Sequence, residues 1–196
     1  MKILAVSDEE AKILYDYYRP GVLSGYDVIL SCGDLKRAYL EFLVTMSNTP
    51  LVYVRGNHDD RLVADPPTGC VCADGDVVKV KGLRIMGLGG AYKYRPGLNM
   101  YTERQMERRA EKLRFKAWRA GGVDIILTHA PPRHINDLDD MAHRGFECFT
   151  YLMEKYEPSY LVHGHIHLNY GMNLPRQTRY RRTNVVNAFE KFEIEL

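Results

Sequence analysis

Tyr160-Leu161-Val162-His163-Gly164-His165-Ile166-His167 is an apolar run that ends in a glycine and alternating histidines. Alternation is the period of an extended chain. His165 and His167 are therefore expected to leave a strand end on the same side, whereas a helix would set them on opposite sides. Two imidazoles on one side of a strand end make half of a metal site. The chain holds 7 histidines and three of them fall in this stretch, which disfavours a merely polar loop.

Outward from this stretch, the same pattern recurs: an apolar run, then a polar stop. Residues 3–6 read as a buried strand stopping at Ser7-Asp8-Glu9-Glu10, with a helix expected to about Arg19 before Pro20-Gly21. Residues 27–30 stop at Cys32-Gly33-Asp34, followed by a helix over 36–46. Residues 51–54 stop at Arg55-Gly56-Asn57-His58-Asp59. Strand, helix, strand, helix, strand is the grammar of a parallel sheet with right-handed crossovers. Short β-like pieces from 69 to 91 predict an antiparallel meander feeding a second sheet. Gly87-Leu88-Gly89-Gly90 lacks phosphate-loop spacing and reads as a tight backbone passage near the site. Thr102 and Gln105 form a capping-box pattern opening one long helix to Arg119, closed by Gly121-Gly122. A strand over 123–127 stops at Thr128-His129-Ala130-Pro131-Pro132. A helix is expected over 143–156, and residues 183–187 and 189–194 read as two final antiparallel strands.

The stops line up chemically. Asp8, Asp34, Asn57 with His58, His129, and His165 with His167 each follow an apolar run, at the end where open α/β sheets bind ligands. Helix capping explains an Asp after one strand but not histidine after three. Asp8, Glu10, Asp34, Asn57, His129, His165 and His167 are more donors than one catalytic zinc takes. They suit two neighbouring divalent ions, with Asp34 as the bridging carboxylate. The mixed nitrogen and oxygen set favours Mn first, with Fe, Zn or Mg as alternatives.

Asp8, Gly33-Asp34, Gly56-Asn57-His58-Asp59, His129 and Gly164-His165-Ile166-His167 resemble the calcineurin-like metallophosphoesterase family over nearly the whole chain. The resemblance implies an α/β fold, a two-sheet αββα sandwich with βαβ units in a single domain, with a dinuclear centre at its edge. It implies Asp8 and His167 on one metal, Asn57, His129 and His165 on the other, Asp34 bridging, and His58 beside the substrate phosphate. One departure stands out: the family usually begins Asp-x-His, whereas here Asp8-Glu9-Glu10 puts a carboxylate at the second position. Glu10 is expected to ligate and to favour Mn or Mg. It is also the only feature supporting the alternative, a metal-binding scaffold or regulatory protein of this fold with weak catalysis.

The expected activity is hydrolysis of a phosphate monoester or diester, with His58 assisting the leaving group. Asp59 either orients that imidazole or caps the following helix. His163 reads as a buried histidine or a donor behind the ligands, Asp137 and His143 as loop residues near substrate, and Tyr92, Tyr94 and Arg95 either as the mouth or, for the tyrosines, as part of a partly buried cluster. Arg55 reads as an ordinary surface arginine. Net charge is +2, so a small molecule or nucleotide is favoured over nucleic acid. The four cysteines match no disulfide or zinc-finger framework. With no leader-like or membrane-spanning apolar run, a cytoplasmic location and no membrane partner are expected. Oligomeric state is not legible.

Overall fold

The computed structural model describes residues 1–169 and 174–196. In chain order, β1 (Lys2–Ser7) leads through a single 3-10 turn (Lys12–Leu14) to β2 (Val28–Ser31), then α1 (Arg37–Ser47), β3 (Leu51–Tyr53) and α2 (Arg61–Ala64). Five strands follow: β4 (Cys70–Cys72), β5 (Asp76–Val80), β6 (Leu83–Leu88), β7 (Ala91–Tyr92) and β8 (Met100–Tyr101). Next come α3 (Glu103–Lys112), α4 (Arg114–Ala120), β9 (Ile125–Thr128), α5 (Glu147–Tyr156) and β10 (Tyr160–His163). The chain finishes through β11 (Gln177–Tyr180), β12 (Thr183–Asn187) and β13 (Glu190–Glu195).

Two sheets form the centre, in the orders β13-β1-β2-β3-β4 and β11-β12-β10-β9-β6-β5; β7 and β8 make a small separate pair. β1, β2, β3 and β4 run parallel to one another, as do β6, β9, β10 and β12. Strands covered on both faces need continuous apolar runs, which is what β1, β2, β9 and β10 carry. Along β1 the faces divide. Ile3 and Ala5 join Val28, Leu30, Ile125, Leu127 and Val162 between the sheets. Leu4 and Val6 pack with Ile29 and Leu51 against Tyr39, Leu40 and Leu43 of α1. On the far side, Met86, Ile126, Leu161 and Val185 meet Met106 of α3, Ala117 of α4 and Phe149 and Leu152 of α5. Each fully buried Leu, Ile or Phe contributes roughly 1.5–3 kcal/mol. The result is a helix-sheet-sheet-helix sandwich, as expected.

Several elements depart from the sequence reading. No helix forms over 9–19 beyond the 3-10 turn. Ala11 provides no side-chain cap, and Tyr15 and Tyr18 instead set their ring edges against Tyr39 and Phe42; aromatic packing outweighs a weakly propagating helix. The long helix begins at the Thr102–Gln105 capping box but breaks at Leu113 into α3 and α4, and Gly121 closes α4 in the left-handed region. The last long helix starts at Glu147, not His143. Before it, the Phe146 and Gly145 amides are spent on the Pro131 carbonyl and the Asp137 carboxylate. The final two strands do not pair: β12 lies parallel to β10, and β13 crosses to the other sheet and runs antiparallel to β1. Gln177–Tyr180, not foreseen, supplies the antiparallel partner of β12.

Candidate metal centre

Every candidate ligand except Glu10 leaves the end of a parallel strand or its next turn. Asp8 follows β1, Asp34 follows β2, and Asn57 follows β3; His129 follows β9, and His165 and His167 follow β10. Asp8, Asp34 and His165 all have positive φ, at 65°, 56° and 66°. Non-glycine residues rarely adopt this left-handed conformation, and it turns each side chain sharply off its strand. His165 and His167 are therefore not successive members of an extended strand, since β10 has ended at His163 and the chain bends at His165. Both nevertheless line one cavity of about 480 Å³ with Asp8, Asp34, Asn57 and His58.

Two glycines let the loops close on each other. A side chain on Gly56 would sit 2.1 Å from Asp34 Oδ1, and one on Gly164 would sit 1.9 Å from Ser7 Oγ and 2.6 Å from Asp8 Oδ2. Backbone amides then set the carboxylates. The His165 amide donates to Asp8 Oδ2 at 2.9 Å, and the His58 amide donates to Asp34 Oδ1 at 2.8 Å. Asp59 accepts from the amides of both Asp34 and Gly56, each at 2.8 Å, so it ties two ligand loops together and makes neither of the contacts expected of it.

The donor set fits a cation. One ligand atom each from Asp8, Asp34 and His129 lie within 4.8 Å of one another. His129 Nδ1 donates to the Cys32 carbonyl at 2.8 Å, which leaves Nε2 as the atom able to coordinate a cation, the arrangement usual for a ligating histidine. Asn57 Oδ1, at 2.8 Å, and Asp34 Oδ2, at 3.3 Å, both face that nitrogen. Three electron-rich atoms thus converge where a positive charge belongs. The electrostatics agree. Burial opposes charge on His129, but the Asp34 and Asp8 carboxylates outweigh it and push its pKa up to about 9. Burial would raise Asp34, yet His129 and the His58 amide hold it down to about 2. Asp8, whose side chain is almost without solvent contact, is raised chiefly by burial, against the pull of His129. His165, buried and beside His129, is pushed down to about 3 and stays neutral. Its ring lies 4.8 Å from that of His129, and its Nε2 faces the Ala142 carbonyl at 2.7 Å. His167 Nε2 is 3.8 Å from Asp8 Oδ1.

A match between the calcineurin-like phosphoesterase family profile and residues 2–169 decides the assignment. The chain belongs to the calcineurin-like phosphoesterase family. It is 25% identical over 202 residues to a UPF0046 protein of Caenorhabditis elegans, a match covering 88% of this chain. The chain spans 65% of the length of that relative. Among solved structures it is similar to TT1561 of Thermus thermophilus, with TM-score 0.62 and 17% identity over 96% of this chain and 89% of the other. It is also similar to GAP50, the anchor in the inner membrane complex of Plasmodium, with TM-score 0.57 and 12% identity over 95% and 70%. At these identities the structural matches bear on the fold alone. Members of this family bind divalent metals, and the centre above has the donors to do so. Among the described residues no helix is long and apolar enough to cross a membrane.

The remaining candidates divide. His58 is exposed, lines the cavity, and has Nδ1 3.2 Å from Arg95 Nη2; Tyr94 and His143 also line the cavity. Glu10 is outside the wall of that cavity and pairs with Lys36 at 3.3 Å. His163 is fully buried and pushed down to about 4 by burial, with Nδ1 2.9 Å from the Gly164 carbonyl. Asp137 pairs with Arg133 at 2.6 Å and braces its loop. Tyr92 is partly buried and packs on Phe146 against the apolar cluster, the second of the two places expected for it. Arg55 is no ordinary surface arginine, because it pairs with Asp74, whose side chain has no solvent exposure. The Gly87–Gly90 passage is as tight as expected: a side chain on Gly89 would meet the Arg55 carbonyl at 2.3 Å. The Asp74 link was missed, since nothing in its sequence surroundings marks one aspartate among many.

Proposed function

We propose that the protein is a dinuclear-metal phosphoesterase acting on a small-molecule or nucleotide phosphate ester. The observation that carries this is the convergence of Asp8, Asp34 and His129 at the strand ends of two sheets, in a chain of this family. Asp8, Asp34, Asn57, His129, His165 and His167 would hold the ions, with Asp34 between them and Mn the first choice. Bound there, divalent ions acidify a water and neutralise phosphate charge.

This chain's own groups do the rest. Asp59 and the His58 amide keep Asp34 aimed into the cavity. His58 protonates the departing oxygen or stabilises its charge. The Arg95 guanidinium can only donate, so His58 Nδ1 accepts, which leaves the Nε2–H to donate a hydrogen bond to the departing oxygen and stabilise its charge. In this reading Glu10 stays with Lys36, and the free thiols of Cys32, Cys70, Cys72 and Cys148 suit a reducing, cytoplasmic setting.

The test is hydrolysis of p-nitrophenyl phosphate and bis-p-nitrophenyl phosphate by Mn-loaded protein. His58→Ala is expected to lower kcat by ~10²–10⁴ with metal content unchanged. Glu10→Ala is expected to keep its metal. A wild-type protein that takes up metal but hydrolyses neither ester would sink the proposal.

A further inference from the structure

A second cavity of about 460 Å³ adjoins the metal cavity, and Asp34 and His58 stand in the walls of both. Three cations line it: Lys36, Arg37 and Arg61. Their counter-charges are unevenly spent. Arg37 is satisfied by Glu41 and Asp65, the latter at 2.6 Å. Asp59 is buried and turned to backbone amides. Among the described residues Lys36 pairs with Glu10 alone, which is not in this wall, and the Lys36 side chain is 81% exposed. Arg61 makes no ion pair among the described residues. Leu35 and Leu62, both buried, give the floor an apolar surface.

The placement of His58 gives this cavity a direction. If His58 serves the leaving oxygen, as proposed above, the leaving group extends past it, away from the ions. We infer that the second cavity receives the leaving group, and that this group carries a second negative charge, met by Arg61 and Lys36. The substrate class is then a phosphate ester with a further phosphate or carboxylate on the alcohol side, with the apolar floor taking its carbon skeleton. This inference rests on the phosphoesterase reading for its chemistry, but the anion site can be tested without turnover. Arginine suits the role because its planar fork meets phosphate or carboxylate oxygens bidentately and stays charged at any working pH.

The experiment compares adenosine 5′-phosphate with adenosine 3′,5′-bisphosphate on Mn-loaded protein. KM is read from phosphate release and Kd from calorimetry. The bisphosphate is expected to have at least a tenfold lower KM and Kd. Arg61→Ala is expected to bring the ratio of the two ligands close to one, and Arg61→Lys to keep part of it; thermal melts establish that each variant is folded. Equal affinity for the two ligands, or an Arg61→Ala variant that weakens both alike, overturns the inference. A calorimetric preference that depends on Arg61 while neither compound is hydrolysed keeps the anion site and removes the phosphoesterase reading instead.

Discussion

Replacing Asp74 by Asn tests whether one buried carboxylate joins the two sheets beneath the centre. Asp74 Oδ2 accepts from Arg55 Nε and Nη2 at 2.9 and 2.7 Å, and Oδ1 accepts from the Gly89 amide at 2.8 Å and from Arg109 Nη2. Arg109 reaches back to the Gly89 carbonyl and lies 4.2 Å over the Tyr101 ring, while the Arg55 carbonyl accepts from the Gly90 amide. Arg55 directly precedes Gly56-Asn57-His58, so the network fixes a ligand loop of one sheet against the exit of β6 in the other. Asn keeps the shape but offers one acceptor oxygen and no charge, leaving two guanidinium groups facing an amide. Breaking a buried pair costs ~3–5 kcal/mol. The arginines keep 21% and 19% exposure and can recruit water, which argues for the lower end, about 3 kcal/mol. In a chain of this size that is a fall of ~6–12 °C in Tm. Thermal and urea unfolding followed by circular dichroism read it out. Removing one of the freed charges, in Asp74→Asn with Arg55→Met, should recover part of the loss, a coupling of ~1–3 kcal/mol. A single variant that melts within about 2 °C of wild type, or a strictly additive double variant, would refute the reasoning.

Arg95→Ala should lower kcat about tenfold, the worth of one charge-assisted hydrogen bond at an exposed site, with Arg95→Lys recovering part; unchanged kcat with p-nitrophenyl phosphate would remove Arg95 from the orientation of His58. Maleimide labelling at pH 8 should find Cys72 fast and Cys32 and Cys148 silent until urea is added. Burial shields those two and raises their thiol pKa values, and it pushes Cys70 up to about 11. Rapid modification of Cys32 in the folded protein would contradict the packing between the sheets. Asp124 is held below its ordinary pKa first by its hydrogen bond with Arg84, so its contribution to stability is complete above pH ~4 and is lost as pH falls through the depressed value. Wild type should therefore lose its advantage over Asp124→Asn as acid melts go to lower pH, and an advantage that grows as the pH falls would be the wrong sign.

What the sequence displays well is the strand ends. Buried parallel strands need unbroken apolar runs, and the polar residues of the rim must follow them, so the places of Asp8, Asp34, Asn57, His129, His165 and His167 after strand ends could be picked out without coordinates. Caps are nearly as local, and Thr102 with Gln105 marked the start of α3. Failures arose where a distant partner decides. Residues 9–19 have a plausible helical pattern, but Tyr39 and Phe42, more than twenty positions away, draw its tyrosines into ring contacts. β12 and β13 read as a hairpin because adjacency in sequence is the only local cue, and their membership of different sheets depends on β10 and β1. Asp59 sits beside His58 in sequence, yet its carboxylate turns to the amides of Asp34 and Gly56.

The carboxylates of the centre hang from one sheet, and the imidazoles follow strands of the other. Donor spacing is therefore a caliper on the distance between layers. Warmth or pressure that lets the layers slip by a fraction of an ångström would alter coordination while every strand remained paired. Loss of metal would then run ahead of loss of ellipticity, and a bound cation would act as a rivet through both layers, its removal felt by the whole sandwich.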